Sequence, residues 1–172
     1  DLLSCNIYRD LTSGAINSCI LFNHESSLRA AQFFTKKVTN YFNGVGQSKT
    51  LKIFNAKSRR DWGCASEFVH LIYQSSAINF DGLSMLGTGT LMSVEQFIDF
   101  CFQCLNEDVV KNEANGLISW QSDRFKVVEC GRDITDQKRI VKADPEFVIP
   151  AFGAMPETRG FGLVKGLLNG DF

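Results

Sequence analysis

Residues 93–105 read SVEQFIDFCFQCL, and they carry the clearest structural signal in the chain. Ser93 followed three residues later by Gln96 is a capping-box pattern. In that pattern the hydroxyl accepts a hydrogen bond from the third backbone N–H of a helix, and the glutamine reaches back to the cap. The residues behind it predict an amphipathic helix, because apolar side chains recur every three or four positions: Val94, Phe97, Ile98, Cys101, Cys104 and Leu105.

Two more helices are predicted on the N-terminal side of this one. Asn23 is a suitable N-cap for the first helix, whose apolar stripe comprises Leu28, Ala31, Phe34, Val38 and Tyr41. Asp61 is a suitable N-cap for the second helix, whose apolar face carries Cys64, Phe68, Leu71 and Ile72. The run 15–22 that precedes them predicts a buried strand or a short helix, and its pattern does not separate the two.

Beyond Asn115-Gly116, a predicted turn, the apolar period changes from helical to alternating. Residues 117–121 and 124–130 predict the two strands of a hairpin, joined at Ser122-Asp123. A further short strand is predicted at 51–54. Together these elements predict an α+β fold, in which three amphipathic helices pack with a small antiparallel sheet.

The end of the chain has a different composition. All three prolines and five of the 14 glycines fall after residue 143, and proline disfavours both helix interiors and central strands. We therefore predict one globular domain at 1–143 and an extended apolar arm at 144–172, with interaction residues Phe147, Phe152, Phe161 and Leu167. An apolar arm has to be covered. Packing on its own domain and docking on a neighbouring subunit both remain open.

Composition limits the function classes. With 172 residues, 44% of them apolar and 15 of them phenylalanine, the chain can bury a core. The 18 basic and 19 acidic side chains leave a net charge of −1, which argues against a surface devoted to nucleic acid or anionic membrane. No apolar run reaches the roughly 18 residues of a membrane span. Six cysteines in a domain large enough to fold without disulfides favour a reducing intracellular compartment.

Several chemistries are tested and set aside. The stretch 43–50, NGVGQSKT, superficially resembles a phosphate-binding P-loop. However, Asn43 and Ser48 occupy glycine positions and a helix precedes the stretch, so we predict the turn that ends a helix. Cys101 and Cys104 form a C-x-x-C pair on an apolar helix face, where they favour core packing over zinc or redox chemistry. No metal and no cofactor is predicted.

A basic segment lies at 49–60. It contains five basic residues and no acidic one, with Phe54 inside it and Trp62 just beyond. Basic residues interleaved with aromatic ones can follow a phosphate backbone and stack on bases. The segment therefore predicts contact with nucleic acid or another acidic surface, although a solvated loop fits the pattern equally well: Lys49, Lys52, Lys57, Arg59 and Arg60.

A cysteine opens the second predicted helix in the string Cys64-Ala65-Ser66-Glu67-Phe68-Val69, with Tyr73 and Ile78 further along. This string resembles the helix of NlpC/P60-type and permuted papain-like hydrolases, in which cysteine opens a helix and, in permuted members, histidine comes first. The resemblance implies a thiol-dependent hydrolase or amidase that uses Cys64 as nucleophile and His24 as base. His70 lies six residues along the helix, about 120° around it from Cys64, and cannot take that role.

The leading prediction is non-catalytic. No complete catalytic set is found, and the arm is too apolar to be left in water. We therefore predict an assembly or interaction subunit that forms a homo-oligomer or docks on a larger assembly through its arm, with nucleic-acid contact through residues 49–60. The alternative is the cysteine hydrolase of Cys64 and His24.

Overall fold

The computed structural model of the protein describes residues 7–8, 10–11, 16–46, 48–77, 82–131, 148–150 and 156–171. Within them, the side chains of residues 17, 75–77, 82–83, 148–150 and 156–162 are outside the description. In chain order the elements are β1 (Asn17–Leu21), β2 (Asn23–Glu25), α1 (Phe34–Phe42), β3 (Leu51–Ile53), β4 (Arg59–Arg60), β5 (Trp62–Cys64), α2 (Ala65–Ala77), β6 (Gly82–Gly87), β7 (Met92–Ser93), α3 (Val94–Cys104), β8 (Val110–Ala114), β9 (Leu117–Gln121), β10 (Lys126–Glu129), β11 (Val148–Pro150) and α4 (Pro156–Asn169).

Parallel pairing organises the fold. In a three-stranded sheet β6 lies between β1 and β11, and both pairs are parallel, with Leu21 opposite Leu86. Parallel neighbours need a long crossover between them, and α1 and α2 lie in the chain between β1 and β6. The predicted α+β class, with helices on a small antiparallel sheet, is therefore wrong. The prediction rests on the hairpin, whose alternation is visible in the sequence. The strands of the parallel sheet are three to six residues long, too short for their period to identify them.

The predicted hairpin is confirmed as β9 and β10 of a mixed sheet, but its connection comprises residues 122–125 rather than the predicted Ser122-Asp123 alone. The four-stranded sheet has the order β3-β10-β9-β8, in which β10 pairs antiparallel with β9 and parallel with β3. At the turn before β9, Asn115 and Gly116 have φ values of 54° and 72°. Positive φ at both central residues is the geometry of the tight hairpin turn that Asn-Gly favours. The predicted strand at 51–54 is confirmed as β3.

The helix predicted from residues 93–105 is confirmed as α3. The Ser93 hydroxyl accepts a hydrogen bond from Gln96 N at 3.0 Å, and Gln96 Oε1 accepts one from Ser93 N at 2.8 Å. Its apolar face lies in the main core together with Trp120 and Val127 from the mixed sheet. Local sequence signals therefore predict both the start and the buried face of this helix.

The first predicted helix begins later than expected. Asn23 does not cap it; residues 23–25 instead form β2, which pairs parallel with β5. The carboxylate of Glu25 accepts a buried hydrogen bond from the Thr35 hydroxyl at 2.6 Å. Helix α1 starts at Phe34, behind Phe33, which has an extended backbone and forms no side-chain cap.

Asp61 also has a different role from the predicted cap. Its carboxylate accepts hydrogen bonds from the backbone N–H groups of Thr88 and Gly89, at 3.0 and 2.9 Å, and from the Thr88 hydroxyl at 2.6 Å. Residues 62–64 then form β5, and α2 starts at Ala65. Cys64 is therefore the last residue of a strand rather than part of a helical turn.

The described end of the chain is a helix, so the predicted extended arm is wrong there. Leu167 and three other apolar residues of α4 belong to the same core as α1 and α3, and Asn43 Nδ2 donates to the Leu168 carbonyl at 2.8 Å. Pro156 is the first helical residue, the position at which a helix tolerates proline. Phe147 and Phe152 lie outside the described residues, as does the side chain of Phe161. The boundary at 143 and 144 also lies outside them and stays a prediction.

Candidate functional site

A cleft of about 370 Å³ opens among β2, α1, β3 and β5. Its wall includes Asn23 from β2, Thr35 and Val38 from α1, and Trp62 from β5. Residue 23 follows the carboxyl end of the parallel strand β1, and ligand sites of open α/β sheets lie outside the carboxyl ends of the strands. The cleft is therefore our candidate binding site.

Positive charge dominates the wall of this cleft. Among the described residues that line it, four are cations, namely Arg29, Lys37, Lys52 and Arg60, and one is a carboxylate, Glu25, which leaves a net charge of +3. Two unit charges about 4 Å apart interact by roughly 4 kcal/mol at the effective dielectric constant of a protein surface. A multiply charged anion is the ligand that this wall favours.

Strand alternation places Lys52 at the cleft. Leu51 and Ile53 are buried while Lys52 between them is exposed, because successive side chains of a strand point to opposite faces. Lys37 Nζ donates a hydrogen bond to the Lys52 carbonyl at 3.3 Å, which brings a cation of α1 next to β3. Arg60 Nη1 donates to the Arg59 carbonyl at 3.0 Å.

Aromatic rings form the floor and the rim of the cleft. Phe34 stacks on Trp62, with ring centroids 5.8 Å apart, and both rings contact Phe97 of the core. Phe33 and Phe54 line the cleft with 44% and 51% of their surface exposed. Exposed aromatic faces beside cations are suited to stacking on a nucleobase.

The groups whose pKa values shift lie away from the cleft lining. Burial raises the pKa of the Cys101 thiol well above its usual value, and Cys104 raises it further. Burial also raises the pKa of Cys104, against a lowering by Lys165. Burial alone would lower the pKa of Lys111, but its hydrogen bonds to Glu95 and Asp99 raise it. The C-x-x-C pair is thus held as neutral thiols, and Cys101 lies in the core as predicted.

The two residues of the predicted catalytic pair lie on the neighbouring strands β2 and β5, and each contacts other groups. The Cys64 thiol is buried, and its sulfur lies 3.0 Å from the Ser66 hydroxyl. His24 Nδ1 donates to the Phe22 carbonyl at 2.9 Å, and its ring packs 5.4 Å from that of Phe68. In the β2–β5 register Cys64 lies opposite Glu25, and His24 lies opposite a glycine. Neither side chain lines the cleft.

The basic segment divides between the cleft and the surface around it. Lys52 and Arg60 line the cleft. Lys57 forms an ion pair with Glu113 at 3.4 Å, Arg59 donates to the Leu91 carbonyl, and Lys49 is exposed. The five cations are therefore divided between the cleft lining and other contacts.

Four residues of the cleft lining are not predicted from the sequence as site residues: Glu25, Arg29, Phe33 and Lys37. The pattern places all four in one helix that starts at Asn23. The polar run 23–27 that directly follows an apolar segment could have indicated a ligand site at the end of a strand.

Two negative findings apply to the described part of the chain. No helix in it is both long and apolar enough to cross a membrane. Within the same residues no group of three or more His, Cys, Asp or Glu side chains is arranged to hold a metal ion.

Comparison with known sequences identifies a family. Residues 3–151 match the sequence profile described as GDP-mannose 4,6 dehydratase. The GDP-mannose 4,6-dehydratase of Sinorhizobium fredii strain HH103 is 30% identical over 145 residues, which are 83% of this chain and 38% of the relative. The GDP-mannose 4,6 dehydratase of Homo sapiens is 32% identical over 104 residues, 58% of this chain and 28% of the relative. The chain spans about a third of the length of these curated relatives.

Solved structures support the fold. A UDP-N-acetylglucosamine 4-epimerase from Methanobrevibacter ruminantium M1, in complex with UDP-N-acetylmuramic acid, matches with a TM-score of 0.69 at 12% identity, over 98% of this chain and 50% of that one. RMD from Pseudomonas aeruginosa complexed with NADPH matches with a TM-score of 0.64 at 12% identity, over 97% of this chain and 51% of that one. At such identities the likeness shows the fold alone, which is a Rossmann-like α/β fold.

These matches overturn the functional predictions. A family of enzymes that covers residues 3–151 is incompatible with the predicted non-catalytic assembly subunit and with nucleic-acid contact as its role. The alternative of a cysteine hydrolase is wrong as well, because the family is one of sugar-nucleotide dehydratases.

Proposed function

The chain belongs to the GDP-mannose 4,6-dehydratase family, and we propose that it acts in a sugar-nucleotide dehydratase by binding GDP-mannose in the cationic cleft. The cations of the wall would hold the diphosphate. The rim rings would contact the guanine base. The mannose would lie beyond the diphosphate.

The single observation that carries this proposal is the composition of the cleft wall. Its net charge of +3 stands beside two exposed aromatic rings, in a chain whose overall net charge is −1. A nucleoside diphosphate combines an anion with a flat ring, so it matches both features at once. The volume of about 370 Å³ falls in the range of roughly 300–1,000 Å³ that is usual for small-ligand sites.

The glycine run at 44–49 does not fit the phosphate-binding turn of a dinucleotide site. Sites of that kind in α/β folds use a Gly-x-Gly-x-x-Gly run that leads from a strand into a helix. Here Gly44 and Gly46 follow α1, with φ values of 71° and 118°, and Lys49 stands where the third glycine would be. The role of this chain would therefore be nucleotide-sugar binding.

Calorimetric titration of the chain with GDP-mannose and with GDP tests the proposal. Lys37→Ala and Arg60→Ala should each weaken binding by about 10-fold or more. A hydrogen bond to a charged group is worth about 1.5–3 kcal/mol, and about 1.4 kcal/mol corresponds to a tenfold change in Kd. Binding by the parent chain should also weaken with added salt, since the cleft is open to solvent.

Lys57→Ala is the matched control. It removes one cation from the same basic segment, but its ammonium group pairs with Glu113 outside the cleft lining. Its affinity should equal that of the parent. Equal affinities for Lys37→Ala, Arg60→Ala and Lys57→Ala would contradict the cleft as the site, as would a parent chain that binds neither ligand.

A further inference from the structure

The cleft contains one carboxylate that its proposed role does not explain. Glu25 lines the wall and is 2% exposed. A negative charge inside an anion site repels the ligand, and a buried carboxylate is costly unless it is paired. Its partners should therefore indicate what it does.

Both observed partners of Glu25 meet the same oxygen. The Thr35 hydroxyl donates to Oε2 at 2.6 Å, and Arg29 Nε lies 3.3 Å from Oε2. Thr35 belongs to α1, whereas Arg29 belongs to the irregular segment before it. The carboxylate therefore connects this segment to the first turn of the helix.

The Arg29 guanidinium is held from two sides. Its Cζ atom lies 3.8 Å from the centroid of the Phe33 ring, so one face of the group is covered. Nε is buried and faces Glu25 without an aligned hydrogen bond, so charge and stacking hold the group. Arg29 itself lines the cleft, and its side chain is 25% exposed. Because Nε is buried and the Nη groups are at the end of this partly exposed side chain, the Nη groups are the donors that we expect a ligand to reach.

We propose that Glu25 is a positioning residue, which fixes the Arg29 guanidinium against Phe33 so that its Nη groups meet the diphosphate of the nucleotide sugar. This inference rests on the proposed function of the cleft. Thr35 holds Glu25, Glu25 holds Arg29, and Arg29 contacts the ligand.

Pre-organisation of Arg29 and simple charge repulsion by Glu25 predict opposite effects of Glu25→Gln on the affinity for GDP. An arginine that is already ordered loses less side-chain entropy on binding, which corresponds to about 3- to 10-fold in affinity. Glu25→Gln keeps the shape of the side chain and removes the charge that holds Arg29, so binding of GDP should weaken by that factor. If Glu25 only repelled the anion, the same substitution would tighten binding.

A double-mutant cycle measures this coupling. The dissociation constant for GDP is determined by calorimetry for the parent chain, Glu25→Gln, Arg29→Ala and the double variant, with thermal melting to establish that each is folded. Glu25→Gln should weaken binding in the parent and should not weaken it in the Arg29→Ala background. Thr35→Val removes the hydroxyl donor without changing charge, and it should weaken binding by a smaller factor, again only when Arg29 is present.

The outcomes separate this inference from the proposed function. If the parent binds GDP and Arg60→Ala weakens it, while Glu25→Gln tightens binding or acts equally in both backgrounds, the positioning role is overturned and the binding cleft stands. If Glu25→Gln does not fold, the Thr35→Val pair of measurements decides in the same way. A parent chain that does not bind GDP overturns both.

Discussion

The structures of two regions of this molecule depend on different kinds of contact, one between residues close in sequence and the other between residues far apart in it. In the helix α3 and the hairpin of β8 and β9, the contacts that fix the structure are close in sequence, such as Ser93 with Gln96 and the turn at Asn115-Gly116. In the cleft region, residues 23–42, the deciding contact is the pairing of β2 with β5, which is distant along the chain. The candidate binding region is thus the one whose structure depends on partners distant along the chain.

Phe97 is one of the side chains that physically join the two regions. Phe97 is fully buried in α3, and its ring lies 5.5 Å from both Phe34 and Trp62. Those two rings line the cleft. The locally determined core therefore supports the floor of the region that is determined by distant contacts.

Removing this junction should have the largest effect. We expect Phe97→Ala to lower the free energy of unfolding by about 3–5 kcal/mol, because truncating a buried phenylalanine loses its transfer energy and leaves a cavity. Urea unfolding followed by circular dichroism measures the loss. In the fraction that remains folded, GDP-mannose binding should also weaken, because the cavity lies under Phe34 and Trp62.

Val110→Ala is the control for this variant. Val110 is exposed on β8, so its truncation should change stability by less than about 0.5 kcal/mol. A Phe97→Ala variant that loses stability but binds GDP-mannose with the affinity of the parent would show that the core and the cleft floor are independent.

The second-largest expected loss of stability comes from removing the carboxylate of Asp61, which binds residues 88 and 89. Asp61→Ala should cost about 2–3 kcal/mol, because it leaves two backbone N–H groups and the Thr88 hydroxyl without their charged acceptor. Asp123→Ala removes an exposed carboxylate from the loop before β10 and should be neutral. Comparable losses for both variants in urea unfolding would contradict the anchoring role of Asp61.

The sequence could predict the first region and only part of the second. Capping and alternation predict α3, β3 and the hairpin of β9 and β10, and Asn115-Gly116 predicts the turn before β9, because the deciding residues are neighbours; β8 is not predicted. Asn23 and Asp61 are good cap residues by type, but a cap and a strand residue cannot be told apart without the distant partner. The parallel sheet β1-β6-β11 is not predicted, since its strands are only three to six residues long and their period does not separate a strand from a short helix.

Two residues of the cleft lining, Lys52 and Arg60, are singled out by the sequence, but for nucleic-acid contact. Lys52 and Arg60 stood out because they belong to a run of cations without an acid. Arg29 and Lys37 are not singled out, because the sequence pattern places both in the predicted first helix, outside the run of cations at 49–60. Glu25 was placed at a helix start, where a carboxylate is favourable for another reason. What the sequence lacked was the fold that brings the segments at 25–37 and 52–60 to one cleft.

The smallest expected effect comes from removing the capping box of α3, which belongs to the region determined by local contacts. Ser93→Ala removes the acceptor for Gln96 N and should cost about 1 kcal/mol in urea unfolding. Gln96→Ala removes the reciprocal bond, and the double variant should lose less than the sum, because the two bonds act on one helix end. Neither residue lines the cleft, so the affinity for GDP-mannose should remain that of the parent. If the Ser93→Ala variant is fully folded but binds GDP-mannose more weakly than the parent, the cleft depends on local capping as well as on distant strand pairing.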